Sequence, residues 1–208
     1  MKKRYVFFLV SITLILLSYN AHSQIKLGLQ LGANFANTKF TPDPDFECEN
    51  KTFFMGGVLA EIKISNMFYI QPEVNYLSKG SSTKTVFNTI SYTAVVDLIF
   101  NYYEIPINVL AKFDAGNFKP FIFAGPSLSF LSKATVKSES AELDVLETLE
   151  KTDLSVNFGT GGELTLSNSI GLFIMARYSL GLTDISKDKD EEIKNQGIAI
   201  TAGLKFSF

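Results

Sequence analysis

The chain has 208 residues, 46% of them hydrophobic, with nineteen Phe, eight Tyr and no Trp, and a formal charge of −2. That length suits a single domain, and a weakly acidic balance argues against a nucleic-acid partner. The single Cys48 excludes an internal disulfide framework.

The first segment reads as an export address. Met1-Lys2-Lys3-Arg4 is a basic start and Tyr5 to Leu17 is almost wholly apolar. Ala21-His22-Ser23 then sets small residues where a signal peptidase reads them. Residues 1–23 are expected to be a cleaved signal peptide and residues 24–208 the mature domain. An uncleaved membrane anchor is the alternative, although the apolar run falls short of the roughly 20 residues that a spanning helix needs. No cysteine follows the run at the cleavage site, so an acylated N-terminus is not expected. Cleavage removes Lys2, Lys3 and Arg4 with no acid, taking the formal charge from −2 to −5, and removes His22, the only histidine.

Beyond residue 23 there is no run of eighteen apolar residues, which excludes ordinary transmembrane helices. The apolar residues recur instead at every second position, the mark of a strand between two different environments. Ile25, Leu27, Leu29, Leu31, Ala33 and Phe35 alternate with Lys26, Gly28, Gln30, Gly32 and Asn34. Segments near 53–65, 67–79, 98–113, 118–132 and 153–166 alternate less strictly, with Val58, Val74, Ile107, Ile122 and Phe158 among the residues of their apolar faces. Pro72, Pro106, Pro120 and Pro126 fall inside these runs. They are expected to mark bulges or strand ends, because proline removes a ladder donor. Next, Ile170, Leu172, Ile174, Ala176, Tyr178 and Leu180 oppose Gly171, Phe173, Met175, Arg177 and Ser179. Last, Ile198, Ile200, Ala202, Leu204, Phe206 and Phe208 oppose Ala199, Thr201, Gly203, Lys205 and Ser207.

The connections alternate in length. Ser65-Asn66, Asp114 to Asn117 and Ser167-Asn168 are tight turns, whereas 36–52, 80–97, 133–152 and 184–194 are long and polar. Short periplasmic turns and longer external loops are the habit of outer-membrane barrels, whose strand number is even. The expected fold is all-β: an eight-stranded antiparallel up-and-down transmembrane β-barrel with both termini on the short-turn side. A soluble β-sandwich is the rival, and it has no need of this alternation. Leu204, Phe206 and Phe208 on one face are expected to form a C-terminal insertion signal for the barrel insertion machinery.

Four phrases carry a resemblance. They are Tyr69-Ile70-Gln71-Pro72-Glu73-Val74-Asn75-Tyr76, Tyr103-Glu104-Ile105-Pro106-Ile107, Pro120-Phe121-Ile122-Phe123-Ala124-Gly125-Pro126 and Ala176-Arg177-Tyr178-Ser179-Leu180-Gly181-Leu182-Thr183. Together they resemble the outer-membrane β-barrel family labelled "porin family" or PorT-like, over the whole of residues 24–208. The resemblance implies a fold and an outer-membrane location. The PorT-like label derives from members linked to protein secretion, and no residue here carries that role over.

The inward faces are expected to hold Lys26, Glu61, Lys63, Glu73, Glu104, Lys112, Lys119, Glu163, Arg177 and Lys205, with Gln30, Gln71, Asn75, Asn108 and Asn157 between them. Buried charges must be paired, and an eight-stranded barrel is just wide enough for side chains to fill it. A polar network plugging the lumen is the expectation; a solute-conducting pore is the alternative. Paired carboxylates among Glu61, Glu73, Glu104 and Glu163 invite a general acid–base reading, but neighbouring bases make structural pairs the plainer one. A Ser–His or Asp–His mechanism is excluded once His22 is gone. No catalytic residue, cofactor or metal is therefore assigned.

In the loops, Asp43, Asp45, Glu47 and Glu49 do not match a calcium-loop spacing and read as solvated acids. Leu143, Leu146 and Leu149 are spaced for a short amphipathic helix or a local loop core. Cys48 reads as a free thiol, an intermolecular bridge or, no less readily, a plain single cysteine with no special role. The expected partners are outer-membrane lipid, the insertion machinery during biogenesis, and an envelope or extracellular protein met through the loops. Three roles follow: a non-enzymatic barrel that is structural or binds through its loops, an accessory of secretion or envelope assembly, and a lipid-modifying enzyme, the last disfavoured by the missing histidine.

Overall fold

Period-two alternation turns successive side chains to opposite faces of a strand, and nine strands result among the described residues. They are β1 (Ile25–Thr41), β2 (Glu47–Lys63), β3 (Phe68–Phe87), β4 (Tyr92–Lys112), β5 (Phe118–Lys137), β6 (Glu142–Asp144), β7 (Thr152–Thr165), β8 (Ile170–Gly181) and β9 (Glu192–Ser207). The computed structural model describes residues 25–42, 47–87, 92–138 and 141–207. The expected signal peptide, Asp43, Asp45 and Phe208 lie outside the described residues.

Eight strands close into one ring, β4-β3-β2-β1-β9-β8-β7-β5, with β4 pairing back onto β5. Neighbours are antiparallel throughout, from Ile25 opposite Ile62 and Lys26 opposite Ser207 round to Lys112 opposite Phe121. The three tight turns, 64–67, 113–117 and 166–169, share one end with the beginning of β1 and the end of β9. The short β6 pairs only with the far end of β5, through Thr135 to Lys137.

The burial pattern is the reverse of a water-soluble fold. Leu29 is 58% exposed, Leu31 62% and Ile174 58%, while inward Gln30, Glu61 and Lys205 are each 1% exposed. A closed sheet with an apolar outer belt is what hydrocarbon requires, because no backbone group is left unpaired at an edge. The belt on β1 runs from Ile25 to Phe35. At about 3.3 Å per residue and a tilt of about 40°, that stretch rises about 25 Å, the height of such a belt. Phe68, Phe113 and Phe118 mark its lower rim, and Tyr76, Tyr103 and Phe130 its upper rim.

Two expectations are corrected. The prolines are neither strand ends nor bulges. Pairs drop out beside Pro72 and Pro106, yet the ladder resumes in unchanged register, from Pro72 opposite Ile107 to Asn75 opposite Glu104 and from Pro106 opposite Ser127 to Val109 opposite Ala124. A missing donor costs a bond without adding a residue. The true register shifts fall between Asn50 and Met55 and between Asn101 and Tyr102, above the belt. At the second, Ser132 and Lys133 both face outward, so Leu131 and Ala134 both face inward; an extra residue re-aims those after it.

The strands also run well into the long connections. Above the belt the extended barrel encloses an apolar core that includes Phe40, Met55, Leu77, Phe100 and Leu131, closed from the loop side by Leu149 and Ile185. The leucine spacing at 143–149 yields no amphipathic helix. Leu143 lies exposed in β6, a single 3-10 turn spans Leu146–Thr148, Leu149 is buried in the core and Leu146 packs half-buried against it.

The belt sets a test. Ile174→Arg, near mid-belt, should destabilise the barrel by about 2–4 kcal/mol, and Ile64→Arg at the rim by about 0–1 kcal/mol. Equilibrium denaturant unfolding in phospholipid vesicles measures both; equal costs would contradict the assigned depth.

Candidate functional site: a charge-filled lumen

Alternation delivers charged side chains from seven strands of the ring into one narrow interior, and they organise as three layers. At the turn end, Lys112 from β4 meets Glu61 from β2 and Glu163 from β7, each at 2.6 Å. Lys26 reaches Glu163 at 2.6 Å, and Lys205 from β9 reaches Glu61 at 2.5 Å and Glu163 at 3.4 Å.

The middle layer centres on Glu73. Its carboxylate accepts from Arg177 at 2.5 Å, Gln30 at 2.8 Å, and Gln71, Asn75 and Asn108 at 2.9 Å each. Five donors on an acceptor with about four lone-pair sites leave no room for a substrate. Arg177 also lies 3.6 Å from Glu104. In the third layer, Lys79 bridges Glu104 at 3.2 Å and Asp153 at 3.1 Å, while Asn195 donates to Asp153 at 3.0 Å and to the Tyr102 hydroxyl at 3.3 Å.

Aromatic rings fill the rest. Phe121, Phe123 and Phe173 each point inward beside a cross-strand glycine, Gly161, Gly159 and Gly203 respectively. A Cβ on Gly161 would stand 2.4 Å from the Phe121 ring, so only glycine leaves the ring its place. The cations lie over these rings: Lys205 is 4.8 Å from the Phe173 centroid, Lys112 is 5.6 Å from Phe121 and Arg177 is 5.8 Å from Phe123. Such contacts are strongest where water is absent. Beside Asn34, Lys79 and Asn195 a cavity of about 10 Å³ remains, room for no more than one water.

Of the ten residues expected in the network, eight meet in it: Lys26, Glu61, Glu73, Glu104, Lys112, Glu163, Arg177 and Lys205. Lys63 and Lys119 do not; they stand half-buried at the turn-end mouth. Lys79 and Asp153 were missed. Both share inward parity with recognised residues, Lys79 with Asn75 and Asp153 with Asn157, so period two could have found them. Their substitution for the two mouth lysines gives five paired cations (half-buried Lys26 with buried Lys79, Lys112, Arg177 and Lys205) against five buried anions (Glu61, Glu73, Glu104, Asp153, Glu163). Leu204 faces outward and Phe206 is half-buried on the same side.

Residues 18–187 match the model of the outer membrane protein beta-barrel domain. The chain belongs to that family. It is an outer-membrane protein, and the inverted burial pattern is the physical reason. Neisserial surface protein A has 16% identity and a TM-score of 0.54, with 88% of this chain and 97% of that one covered. OprG from Pseudomonas aeruginosa has 8% identity and a TM-score of 0.52, with 90% and 98% covered. At these identities the likeness shows the fold alone. No curated protein matches the chain.

Above the belt, Asp97 and Cys48 are each shifted by their surroundings. Partial burial would raise the Asp97 carboxyl, but Lys51 and Ser82 beside it hold it below the ordinary value. Burial against the loop-end core pushes the Cys48 thiol up, only partly offset by a hydrogen bond with Ser81. A thiol so shifted is a poor nucleophile.

The middle layer is directly testable. Arg177→Met should destabilise the barrel by about 3–5 kcal/mol by stranding Glu73, the cost of breaking a buried pair. Adding Glu73→Gln should recover at least half of that. Denaturant unfolding of both variants in vesicles reads the pair, and a cost below about 1 kcal/mol for the single variant would remove Glu73 from the centre of the network.

Proposed function

We propose that the protein is a non-enzymatic outer-membrane barrel whose lumen is a closed scaffold and whose role is structural or exercised through the surface that its extended strands carry outside. The observation that carries this reading is the packed lumen. Its charges are mutually paired, the cavity beside Lys79 has room for no more than one water, and Leu149 and Ile185 close the loop end over an apolar core. An interior so filled disfavours a small-solute porin. The non-enzymatic reading is supported by the saturation of Glu73 and by the confinement of the sequence's only histidine to position 22. Outer-membrane lipid on the belt and the insertion machinery during biogenesis are the partners that this reading entails.

A second reading is favoured by one feature. All three residues of β6 are exposed, and its outer edge pairs with no other strand among the described residues. A free edge can take up an extended segment of another protein. This suits the PorT-like resemblance and a role as an accessory of secretion or envelope assembly. Co-purification of a discrete envelope protein from mild detergent, lost when Leu143→Pro blocks the edge, would favour it over the first reading.

Planar-bilayer recording tests the closed scaffold. The purified barrel should add no stable stepwise conductance, and reproducible unitary openings would overturn the proposal.

A further inference from the structure

The turn-end mouth is built differently from the lumen above it. A basin of about 310 Å³ opens there between the β2–β3 and β4–β5 turns, lined by Lys63, Asn66, Tyr69, Lys112, Asp114 and Lys119. Every deeper cation is paired, whereas Lys63 and Lys119 make no ion pair or hydrogen bond among the described residues. The Tyr69 hydroxyl and the Asn66 amide are likewise without a hydrogen-bond partner among them. Lys112 forms the floor of the basin, its ammonium already shared by Glu61 and Glu163.

The charges at this end do not cancel. Lys26, Lys63, Lys112, Lys119 and Lys205 face Glu61, Asp114 and Glu163, an excess of two positive charges. Asp114 is also engaged, accepting from the Gly116 amide in its own turn at 3.2 Å. Above, Lys79 and Arg177 face Glu73, Glu104 and Asp153, an excess of one negative charge. The imbalance at the mouth is therefore not compensated along the lumen by a free acid.

We propose that this basin binds a phosphate group presented from the periplasmic side. Two unengaged ammonium groups match a dianion, which a single carboxylate would leave half neutralised, and lysine is a common point-charge ligand for phosphate. The tyrosine hydroxyl and the asparagine amide add neutral donors for a tetrahedral group that accepts from several directions. The volume sits at the small end of the ligand-pocket range, enough for a phosphate and a short part of what bears it. The source is either a phosphomonoester lipid headgroup of the inner leaflet, as in phosphatidic acid, or a soluble phosphate monoester; the dianionic chemistry recognised is the same. The site is independent of the closed-lumen reading, since the basin lies below the plug.

Isothermal titration of inorganic pyrophosphate into the purified full-length barrel, in nonionic detergent at low ionic strength, tests the site. Saturable binding is expected, weakened at least about tenfold by Lys63→Gln with Lys119→Gln, as the loss of two charged donors implies. Lys133→Gln with Lys187→Gln, at the loop end, should leave it unchanged. The heat-dependent gel shift certifies that each variant is folded; if the double change at the mouth does not fold, each single change should weaken binding severalfold. No saturable heat would overturn the proposal. So would equal affinity in the Lys63/Lys119 variant, or an equal loss in the loop-end control. Repeating the titration in nanodiscs with and without phosphatidic acid separates the sources: competition assigns the site to a headgroup and its absence to a soluble ester, and either result upholds a phosphate site.

Discussion

The structure depends on one constraint, that a strand crossing hydrocarbon must pair its whole backbone. Ring closure, with the first strand β1 paired to the last strand β9, meets it by leaving no edge in the lipid. Once the ring is closed, side-chain alternation has no freedom left: every second residue faces lipid and the others share a narrow interior. A slip of one residue anywhere would exchange the two sets. Register is therefore held as firmly by Glu73 and Lys205, which cannot face lipid, as by Leu29 and Ile174, which have no place inside.

Eight strands give a lumen that side chains can fill, and the way it is filled decides what the protein can do. Charges taken out of water are costly unless their partners and hydrogen bonds are complete. Here five cations and five anions from different strands are interleaved, with amides completing the acceptors and rings covering the cations. Small residues make that packing possible, since Gly161 and Gly203 leave room for Phe121 and Phe173. The result is a solid polar rod inside an apolar sleeve.

Much of this was legible in the sequence because period two survives without knowledge of contacts. The strand count, the short and long connections and eight lumen charges follow from parity alone. Other features are invisible to parity. Lys63 and Lys119 have inward parity, but their depth depends on strand tilt, and depth places them at the mouth. The prolines suggest breaks locally, yet pairing on both sides carries the strand through them. Above the belt, water satisfies outward polar residues, so the apolar–polar contrast fades and the strand continuations read as loop. There Phe40, Leu77 and Phe100 keep their inward parity and build a core, which Ala134 joins only because of the register shift on β5.

The donors that converge on Glu73 come from β1, β3, β4 and β8, and the Arg177 partner is 104 residues distant in the chain. No single hairpin can assemble that carboxylate's environment. A half-built sheet in the bilayer would expose a bare anion to hydrocarbon, so the energy gained by adding strands one at a time is withheld until the first and last have met. Closure in the membrane is then a concerted event with a late reward, and contacts so far apart in sequence make it slow. The same carboxylate that locks the finished lumen thus sets the timing of its assembly.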